Sequence, residues 1–416
     1  MTEKQNAPEI RFEGFTGPWE QRKLGEVAHR VIRKNEGNQS DLPLTISAQH
    51  GLVDQRDYFN NQVASRDMSG YYLLESGEFA YNKSTSGDSP WGAIKRLTKY
   101  EKGCLSTLYI CFGLDLGDPD FLVTYYETNR WHSAVQMIAA EGARNHGLLN
   151  IAPDDFFETV LTLPCSTEEQ KQIGCFFTQL NSLITLHQRK YDKLCTVKKS
   201  MLDKMFPKPG ETEPEIRFEG FAGPWEQRKL GELLLFQNGF NGSSESFGSG
   251  IPLISVMDVL DDKFITHETV RGKARLNCEE ASRYCVEYGD VLFQRSSENQ
   301  EDAGTSNVYL DQHVPSAFGG FVIRGKKVGE YNPIFIKYLL GSPFIREQIT
   351  HRAQGAQHIN VSQDTLADVA LLMPSMREQE AVGLVFLYLD NLITLHQREL
   401  ELLRNIKKSL LDRMFV

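Results

Sequence analysis

The sequence predicts an α/β (α+β) fold in which two mixed domains are separated by an antiparallel coiled coil of two long helices, with a pseudo-two-fold internal repeat. Three observations predict it: segments that occur twice in nearly identical form, a heptad pattern of apolar residues in each copy, and short strand-like runs in the dissimilar sequence between them. The length of 416 residues agrees with this division, because a single ordinary core is smaller.

The repeated segments frame each half of the chain. Residues 9–26 and 215–232 differ only at Thr16 and Ala222. Residues 27–145 and 233–355, in contrast, share no comparable run. We call the repeated segments the frame, and 27–145 and 233–355 the first and second inserts. The frame consists of EIRFEGFTGPWEQRKLGE at 9–26 with its copy at 215–232, LITLHQR at 183–189 and 392–398, and KKSMLDKMF at 198–206, which recurs as KKSLLDRMF at 407–415. Internal repetition of this kind indicates two similar halves.

A long amphipathic helix is predicted at the end of each half. Apolar residues recur at spacings of three, four or seven, which is the pattern of coiled-coil a and d positions. The predicted seam is Ile173, Phe177, Leu180, Ile184, His187 and Leu194 in the first copy, and Val382, Phe386, Leu389, Ile393, His396 and Leu403 in the second. His187 and His396 are interpreted as register-setting polar positions rather than as metal or catalytic groups.

Two such helices in one chain can bury each other's seams. Parallel and antiparallel pairing are both possible, and antiparallel pairing is favoured because it relates the two inserts by a pseudo-two-fold axis. The predicted domains are 1–166 (first mixed domain), 167–206 (first helix), 207–214 (Pro-rich linker), 215–375 (second mixed domain) and 376–416 (second helix).

Both inserts contain short apolar runs bounded by turn residues, which predict mixed α/β structure. Just after each insert, Asn150 and Ile151 align with Asn360 and Val361. This short similarity predicts a strand or turn before the long helix. The predicted strands include 71–74, 78–81, 105–112, 291–293 and 318–323, and the predicted helices include 120–139 and 333–352.

Composition restricts the class of protein. A formal net charge of −10 argues against a chain that coats nucleic acid indiscriminately, but it allows local basic faces. The seven cysteines form no C-x-x-C pair, which disfavours disulfide scaffolds and zinc ribbons. No apolar run approaches the roughly 20 residues of a membrane span, and the polar segment 1–8 predicts no secretory signal. We therefore expect a cytoplasmic protein without a membrane partner.

Polar segments next to glycines are the best candidates for contacts with DNA. Segments 82–87 and 294–300 supply the Arg, Lys, Asn, Gln, Ser and Thr groups that bind base edges and phosphates. A solvated loop is the alternative at every position. The candidates are Lys83, Ser84, Thr85, Arg96, Arg144 and Asn145 in the first half, and Arg295, Ser296, Ser297, Gln354, Gln357 and His358 in the second.

Motifs for catalysis are weak, and no catalytic or metal-binding residues are predicted. The chain has no G-x-x-x-x-G-K-[ST] phosphate loop. Ser89-Pro90-Trp91 is one proline short of the loop that amino-methyltransferases use to hold a base. Asp154 followed by Glu169 and Lys171 imitates a nuclease pattern, but the second copy has Glu380 in place of the lysine.

The duplicated PWEQRKLGE segment, the two dissimilar inserts and the two helices ending in KKSMLDKMF and KKSLLDRMF resemble the DNA specificity subunits of type I restriction-modification systems. The resemblance covers nearly the whole chain. It implies that each insert belongs to a target-recognition domain that reads one half of a bipartite, asymmetric DNA site. It also implies that the helices act as a spacer and as a platform for modification subunits.

The same resemblance implies the partners and cofactors. Two modification subunits would carry S-adenosylmethionine and methylate adenine N6, and two restriction subunits would carry the ATP-driven translocase and nuclease with their Mg²⁺. The chain itself would bind double-stranded DNA and no cofactor. Two alternatives remain: a self-contained methyltransferase or nuclease, which would act without partners, and a helical scaffold that binds only proteins.

Overall fold

The computed structural model describes residues 6–47, 50–59, 64–65, 67–85, 89–139, 147–312, 315–355 and 358–416. The chain forms two compact units, one made of Met1–His187 with Arg398–Val416 and the other of Gln188–Gln397. Each unit therefore combines one insert with parts of both long helices. Among the described residues, no helix is long and apolar enough to cross a membrane.

The first unit is built mainly from short strands. Its strands are β1 (Glu20–Lys23), β2 (Ala28–Arg30), β3 (Leu44–Ser47), β4 (Gly51–Asp54), β5 (Tyr72–Glu75), β6 (Phe79–Asn82), β7 (Ala93–Arg96), β8 (Lys102–Leu105), β9 (Ile110–Leu114) and β10 (Val160–Leu163). Its helices are α1 (Leu24–Val27), α2 (Gln55–Phe59), α3 (Pro119–Tyr125), α4 (His132–Ile138), α5 (Pro153–Phe157) and the first part of α6 (Thr167–Lys204).

The second unit contains a similar set of elements and one 3₁₀ turn, Ser244–Ser246. Its strands are β11 (Glu226–Lys229), β12 (Leu234–Asn238), β13 (Phe247–Ile254), β14 (Gly272–Ala274), β15 (Val291–Gln294), β16 (Ser296–Ser297), β17 (Ser306–Val308), β18 (Ala317–Phe318), β19 (Val322–Lys327), β20 (Ile359–Asn360) and β21 (Ala370–Met373). Its helices are α7 (Leu230–Leu233), α8 (Val256–Val259), α9 (Cys278–Tyr284), α10 (Pro333–Leu340), α11 (Pro343–Arg352), α12 (Gln363–Ala367) and the first part of α13 (Met376–Met414).

The two inserts contain the same central sheet although their sequences differ. The strand order is β2-β9-β6-β7 in the first unit and β12-β19-β15-β17 in the second, and all neighbours are antiparallel. Alternate residues of a strand face opposite sides, so Phe79 and Tyr81 of β6 pack towards the helices while Ala80 packs in a second core. Sheet topology is thus repeated where sequence is not.

The frame joins each insert to its helix through a second, two-stranded sheet. β1 pairs with β10 and β11 pairs with β21, with the Glu20–Leu163 pair corresponding to the Glu226–Met373 pair. This sheet holds the first frame segment against the residues that lead into α6 and α13. The predicted mixed fold with an internal repeat is confirmed.

A buried ion pair fixes the first frame segment to each long helix. Arg11 binds Glu169 through two bonds of 2.6 and 2.7 Å, and Trp19 Nε1 donates to Glu169 Oε1 at 3.4 Å. The copy repeats every contact, with Arg217 bonded to Glu378 at 2.7 and 2.8 Å and Trp225 donating to Glu378 at 3.3 Å. A bidentate guanidinium–carboxylate pair is both strong and directional, so the same contact fixes the frame segment to the long helix in both copies.

A repeated glycine allows close packing of the long helix on the insert. A Cβ on Gly174 of α6 would lie 2.5 Å from the backbone nitrogen of Phe121 in α3, and a Cβ on Gly383 of α13 would lie 3.0 Å from that of Phe335 in α10. Larger residues would separate these helices. Each long helix is therefore packed directly on the first turn of an insert helix.

The long helices run antiparallel within each unit, as predicted. In the first unit the rings of Phe177 and Phe415 are 6.0 Å apart, and His187 Nδ1 lies 2.9 Å from Glu399. Residue numbers therefore rise on one helix as they fall on the other. The second unit repeats the arrangement, with Lys198 Nζ 2.6 Å from Asp390 and the rings of Phe206 and Phe386 5.8 Å apart.

The predicted seam residues differ in how deeply their side chains are buried. Ile173, Phe177 and Leu180 are buried in the core of the first unit, which Ile184 and Leu403 cover in part. Val382, Phe386 and Leu389 are buried in the core of the second unit, which Leu194 covers in part. Ile393, His187 and His396 are half-buried. Burial is thus greatest where the long helices pack on an insert.

Several predicted elements are interrupted. The run 105–112 turns at 106–109, between β8 and β9, and the run 318–323 breaks between β18 and β19. The predicted helix 333–352 is divided at Pro343, because proline cannot continue the hydrogen-bond ladder of α10. The predicted helix 120–139 is likewise two helices, α3 and α4.

Candidate nucleic-acid interface

In the second unit, the polar residues that follow β15 lie beside a strand from much later in the chain. β16 pairs antiparallel with β20, with Ser296 opposite Asn360. Gln354 N donates to Asn360 O at 3.1 Å, and Asn360 N donates to Gln354 O at 2.8 Å. The structure therefore brings Ser296, Ser297 and Gln354 together in one polar cluster.

The side chains of this cluster differ in accessibility. Gln354 and His358 are exposed, and Arg295 is half-buried with Nη1 donating to Gly320 O at 3.3 Å. Ser297 is buried, and its hydroxyl oxygen accepts a bond from the backbone of Asn299 at 3.1 Å. Gln357 lies outside the described residues. Ser297 thus shapes the loop, whereas Gln354 and His358 are free to meet a ligand.

The first unit places its candidates at the corresponding end of β6. Ser84 forms a bridge with Leu148, and the backbone nitrogen and hydroxyl of Thr85 donate to Gly147 O at 2.6 and 2.9 Å. Lys83 Nζ donates to Ile151 O at 3.3 Å, and burial lowers the pKa of Lys83. Arg144 and Asn145 lie outside the described residues.

Arg96 lies apart from this group. It is opposite Phe79, at the other end of β6 from Lys83. Its guanidinium donates to Asp120 Oδ1 at 2.9 Å and to Gly77 O at 3.3 Å. These contacts hold α3 on the sheet, so the structure gives Arg96 an internal partner.

The two polar segments occupy equivalent positions. β6 and β15 are the third strands of sheets with the same order. Each is followed by a polar segment that pairs with the chain at or near positions 150–151 and 360–361, Ser84 with Leu148 in the first unit and Ser296 with Asn360 in the second. Such a segment presents amide, hydroxyl and cationic donors, the groups that bind base edges and phosphates. Each unit can therefore present one polar edge to a nucleic acid.

Sequence reasoning overlooked Asn150 and Asn360. Both are exposed and border these segments, and Asn360 Nδ2 donates to His358 O at 3.0 Å. The sequence did contain a signal for them, because the two asparagines occupy matching positions in the two halves of the repeat. Glu298, Asn299 and Gln300 are also exposed in the loop after β16.

The carboxylate of the nuclease-like pattern has a structural role. Glu169 is fully buried and uses both oxygens for Arg11. Asp154 is exposed, and its carboxylate lies 3.6 Å from Arg30. Glu169 is therefore part of the frame, as its counterpart Glu378 is.

Known proteins resemble the chain in sequence and in fold, although no protein-family model matches it. It is 24% identical over 254 residues to the specificity subunit of the type I restriction enzyme MjaVIII from Methanocaldococcus jannaschii. The alignment covers 59% of this chain and 59% of that relative, so it spans less than two thirds of the relative's length.

Two crystal structures show similarity over most of the chain. The S subunit of a type I restriction-modification system from M. genitalium covers 99% of both chains, with a TM-score of 0.55 and 14% identity. The HsdS subunit from Thermoanaerobacter tengcongensis covers 95% of this chain and 96% of that chain, with a TM-score of 0.45 and 16% identity. In sequence the chain is similar to a type I restriction enzyme specificity subunit, and its fold is that of a type I S subunit.

Proposed function

We propose that the chain is the DNA-recognition subunit of a type I restriction-modification complex and that each unit reads one half of a bipartite, asymmetric site. One observation carries the proposal: two inserts of unrelated sequence present polar segments from the same position of the same sheet within a repeated frame. Common architecture with different side chains is what two readers of different half-sites require.

Catalysis and cofactors would belong to partner subunits. We propose that S-adenosylmethionine binds to two modification subunits, and that ATP and Mg²⁺ bind to two restriction subunits. The net charge of −10 is compatible with DNA binding, because phosphate contacts need cations only where the duplex lies. Half-sites read from one side of B-DNA lie about 34 Å apart or a multiple of this distance, and the long helices are the proposed spacer.

DNA footprinting with the modification subunits present tests this proposal. We expect two protected segments separated by an unprotected gap. Gln354→Ala should weaken protection of one half-site by about 1–3 kcal/mol, the usual value of a base contact. Gln227→Ala, which removes an exposed glutamine of the frame, is the control and should protect both half-sites normally. A single continuous footprint would contradict the bipartite arrangement.

The long helices also expose apolar residues that suit helical partners. Leu384, Tyr388 and Leu395 of α13 are 51%, 64% and 50% exposed. Their spacings of four and seven place them on one face of the helix. We propose that this face of the second unit binds helices of a modification subunit.

Tyr388→Glu is expected to abolish co-purification of a modification subunit, because a carboxylate would be buried without a partner in the interface. Folding should be unaffected, since an exposed substitution changes stability by about 0.5 kcal/mol or less. Gln397→Glu, at an exposed position on another side of α13, should retain the partner. Normal co-purification of Tyr388→Glu with the modification subunits would refute this docking face.

A further inference from the structure

A large apolar side chain is exposed at the same place in both units. Phe321 lies in the turn before β19 and is 71% exposed, and Leu108 lies in the turn before β9 and is 58% exposed. In each turn the backbone nitrogen of the fourth residue donates to the carbonyl of the first, at 2.9 Å in 319–322 and at 3.1 Å in 106–109. The exposed residue is the third of its turn in both units.

The strand register makes the two positions equivalent. The strands after the frame, β2 and β12, begin at Ala28 and Leu234, each two residues past the first frame segment. Their partners on β9 and β19 are Leu114 and Lys327, and the exposed residue lies six positions before this partner in both units. The inserts share no comparable run of sequence, so the agreement comes from the position in the fold.

In the second unit this turn lies beside the polar segment that is proposed to meet DNA. Arg295 N donates to Phe321 O at 2.9 Å, and Val361 N donates to Arg295 O at 3.0 Å. Neighbouring strands are about 4.8 Å apart, so the backbones of Phe321 and Val361 are separated by roughly 10 Å. B-DNA covers that distance in about three base pairs. One half-site can therefore contact the turn and the polar segment together.

The first unit repeats this placement. Lys83 follows β6 as the arginine follows β15, and Lys83 O accepts a bond from Leu149 N at 2.9 Å. The pairing of Tyr81 with Ile110, continued by two residues, sets Lys83 opposite Leu108. Each unit thus holds its apolar turn residue one strand away from its polar segment.

The surrounding chain fixes both turns. A Cβ on Gly320 would clash with Asn241, and Gly320 O accepts a bond from Arg295 Nη1 at 3.3 Å. In the first unit the hydroxyl oxygens of Tyr109 and Thr45 lie 3.3 Å apart. A side chain presented from a fixed backbone loses less entropy on binding than one on a mobile loop.

The chemistry of the position indicates an apolar partner among hydrogen-bonding ones. Turns usually carry Gly, Asn, Asp or Ser, and single exposed apolar residues are common on protein surfaces. Their recurrence at one position of two unrelated inserts indicates instead a contact outside the chain. The major groove of B-DNA displays hydrogen-bonding groups and one apolar group, the C5-methyl of thymine, whereas the minor groove has no methyl group.

We propose that Phe321 and Leu108 each pack on the C5-methyl group of a thymine in the major groove of the half-site that their unit reads. This inference rests on the proposed DNA-recognition function and adds to it the class of base pair that is contacted. Each half-site contains an A·T pair where the apolar side chain reaches, and the neighbouring polar segment binds the edges of adjacent bases.

Replacement of thymine by deoxyuridine, which lacks the methyl group, tests the contact. Selection from duplexes of random sequence, by the chain with its modification subunits, first defines the preferred motif. Duplexes with that motif are then compared with duplexes that carry deoxyuridine at one thymine at a time. We expect one thymine in each half-site whose replacement weakens binding about fourfold, the factor that corresponds to about 0.8 kcal/mol for one buried methyl group.

Variants of the turns assign each thymine to its unit. Phe321→Ala should weaken binding of the thymine duplex at least about fourfold and abolish the effect of deoxyuridine in one half-site, and Leu108→Ala should do the same in the other. Val328→Ala and Leu116→Ala are the matched controls, because they shorten exposed apolar residues just past the opposite ends of β19 and β9. Both controls should bind like the unaltered chain. Folding should be unaffected, since all four positions are exposed.

The outcomes separate this inference from the proposed function. A bipartite motif whose binding is unchanged by Phe321→Ala and Leu108→Ala, or by deoxyuridine at every thymine, would overturn the inference alone. Equal weakening of thymine and deoxyuridine duplexes by Phe321→Ala would indicate a wedge between base pairs and contradict the methyl contact. The absence of any preferred bipartite motif would contradict the proposed function and this inference together.

Discussion

Phe415→Ala is expected to destabilise the first unit by about 3–5 kcal/mol, the usual cost of removing a buried phenylalanine side chain. Phe415 follows the second insert in sequence but is 2% exposed in the core of the first unit. Its ring centroid lies 5.9 Å from that of Trp19 and 5.5 Å from that of Phe121. The effect should therefore appear in the first insert and not in the second.

Phe206→Ala is the matched variant, with the opposite expectation. Phe206 precedes the second insert and packs in its unit, 6.2 Å from Trp225 and 5.8 Å from Phe335 between ring centroids. Hydrogen exchange of peptides from each insert is the suitable measurement, because a chain of two units has no single unfolding free energy. If Phe415→Ala loosened the second insert, or neither insert, the division of the chain into these units would be wrong.

Glu169→Gln should produce the second large effect, about 3 kcal/mol of destabilisation in the first unit. The substitution leaves the Arg11 guanidinium without its bidentate partner, and breaking a buried pair costs about 3–5 kcal/mol. The lower value applies because the Arg11 side chain is 16% exposed and retains some contact with water. The first frame segment would then detach from α6.

Glu378→Gln tests the same contact in the second unit, where Arg217 is the partner. It should increase hydrogen exchange in the second insert and leave that of the first insert unchanged. A paired replacement, Arg11→Met with Glu169→Leu, should recover much of the stability, because two apolar groups leave no buried charge. If hydrogen exchange in the Glu169→Gln variant equalled that of the unaltered chain, the ion pair would not be what holds the frame segment on α6.

The sequence predicted the frame better than the inserts. Repeated segments and heptad spacing were sufficient for the helices and for the mixed fold. They left parallel and antiparallel pairing of the helices both possible and only favoured the antiparallel arrangement that the structure shows. The common sheet of the inserts could not be predicted, because β6 and β15 share no sequence and acquire their neighbours only through distant pairing. The interruption of the run 318–323 likewise reflects tertiary pairing, since β18 and β19 belong to different sheets.

The candidate interface was predictable only in part. Ser296 and Gln354 were selected from separate segments, and only the pairing of β16 with β20 shows that they are neighbours. Arg96 looked equally suitable in the sequence, but its bond to Asp120 depends on how α3 packs. Residue type indicates which groups can bind DNA, whereas the fold decides which of them are already occupied.

The most direct test is to map methylated adenine in cells that contain the chain and its modification subunits, before and after residues 27–150 are replaced by those of a relative. The proposal predicts a bipartite, asymmetric motif in which the replacement changes one half and leaves the other half unchanged. A change in both halves, or a continuous palindromic motif, would contradict the proposal that each unit reads its own half-site.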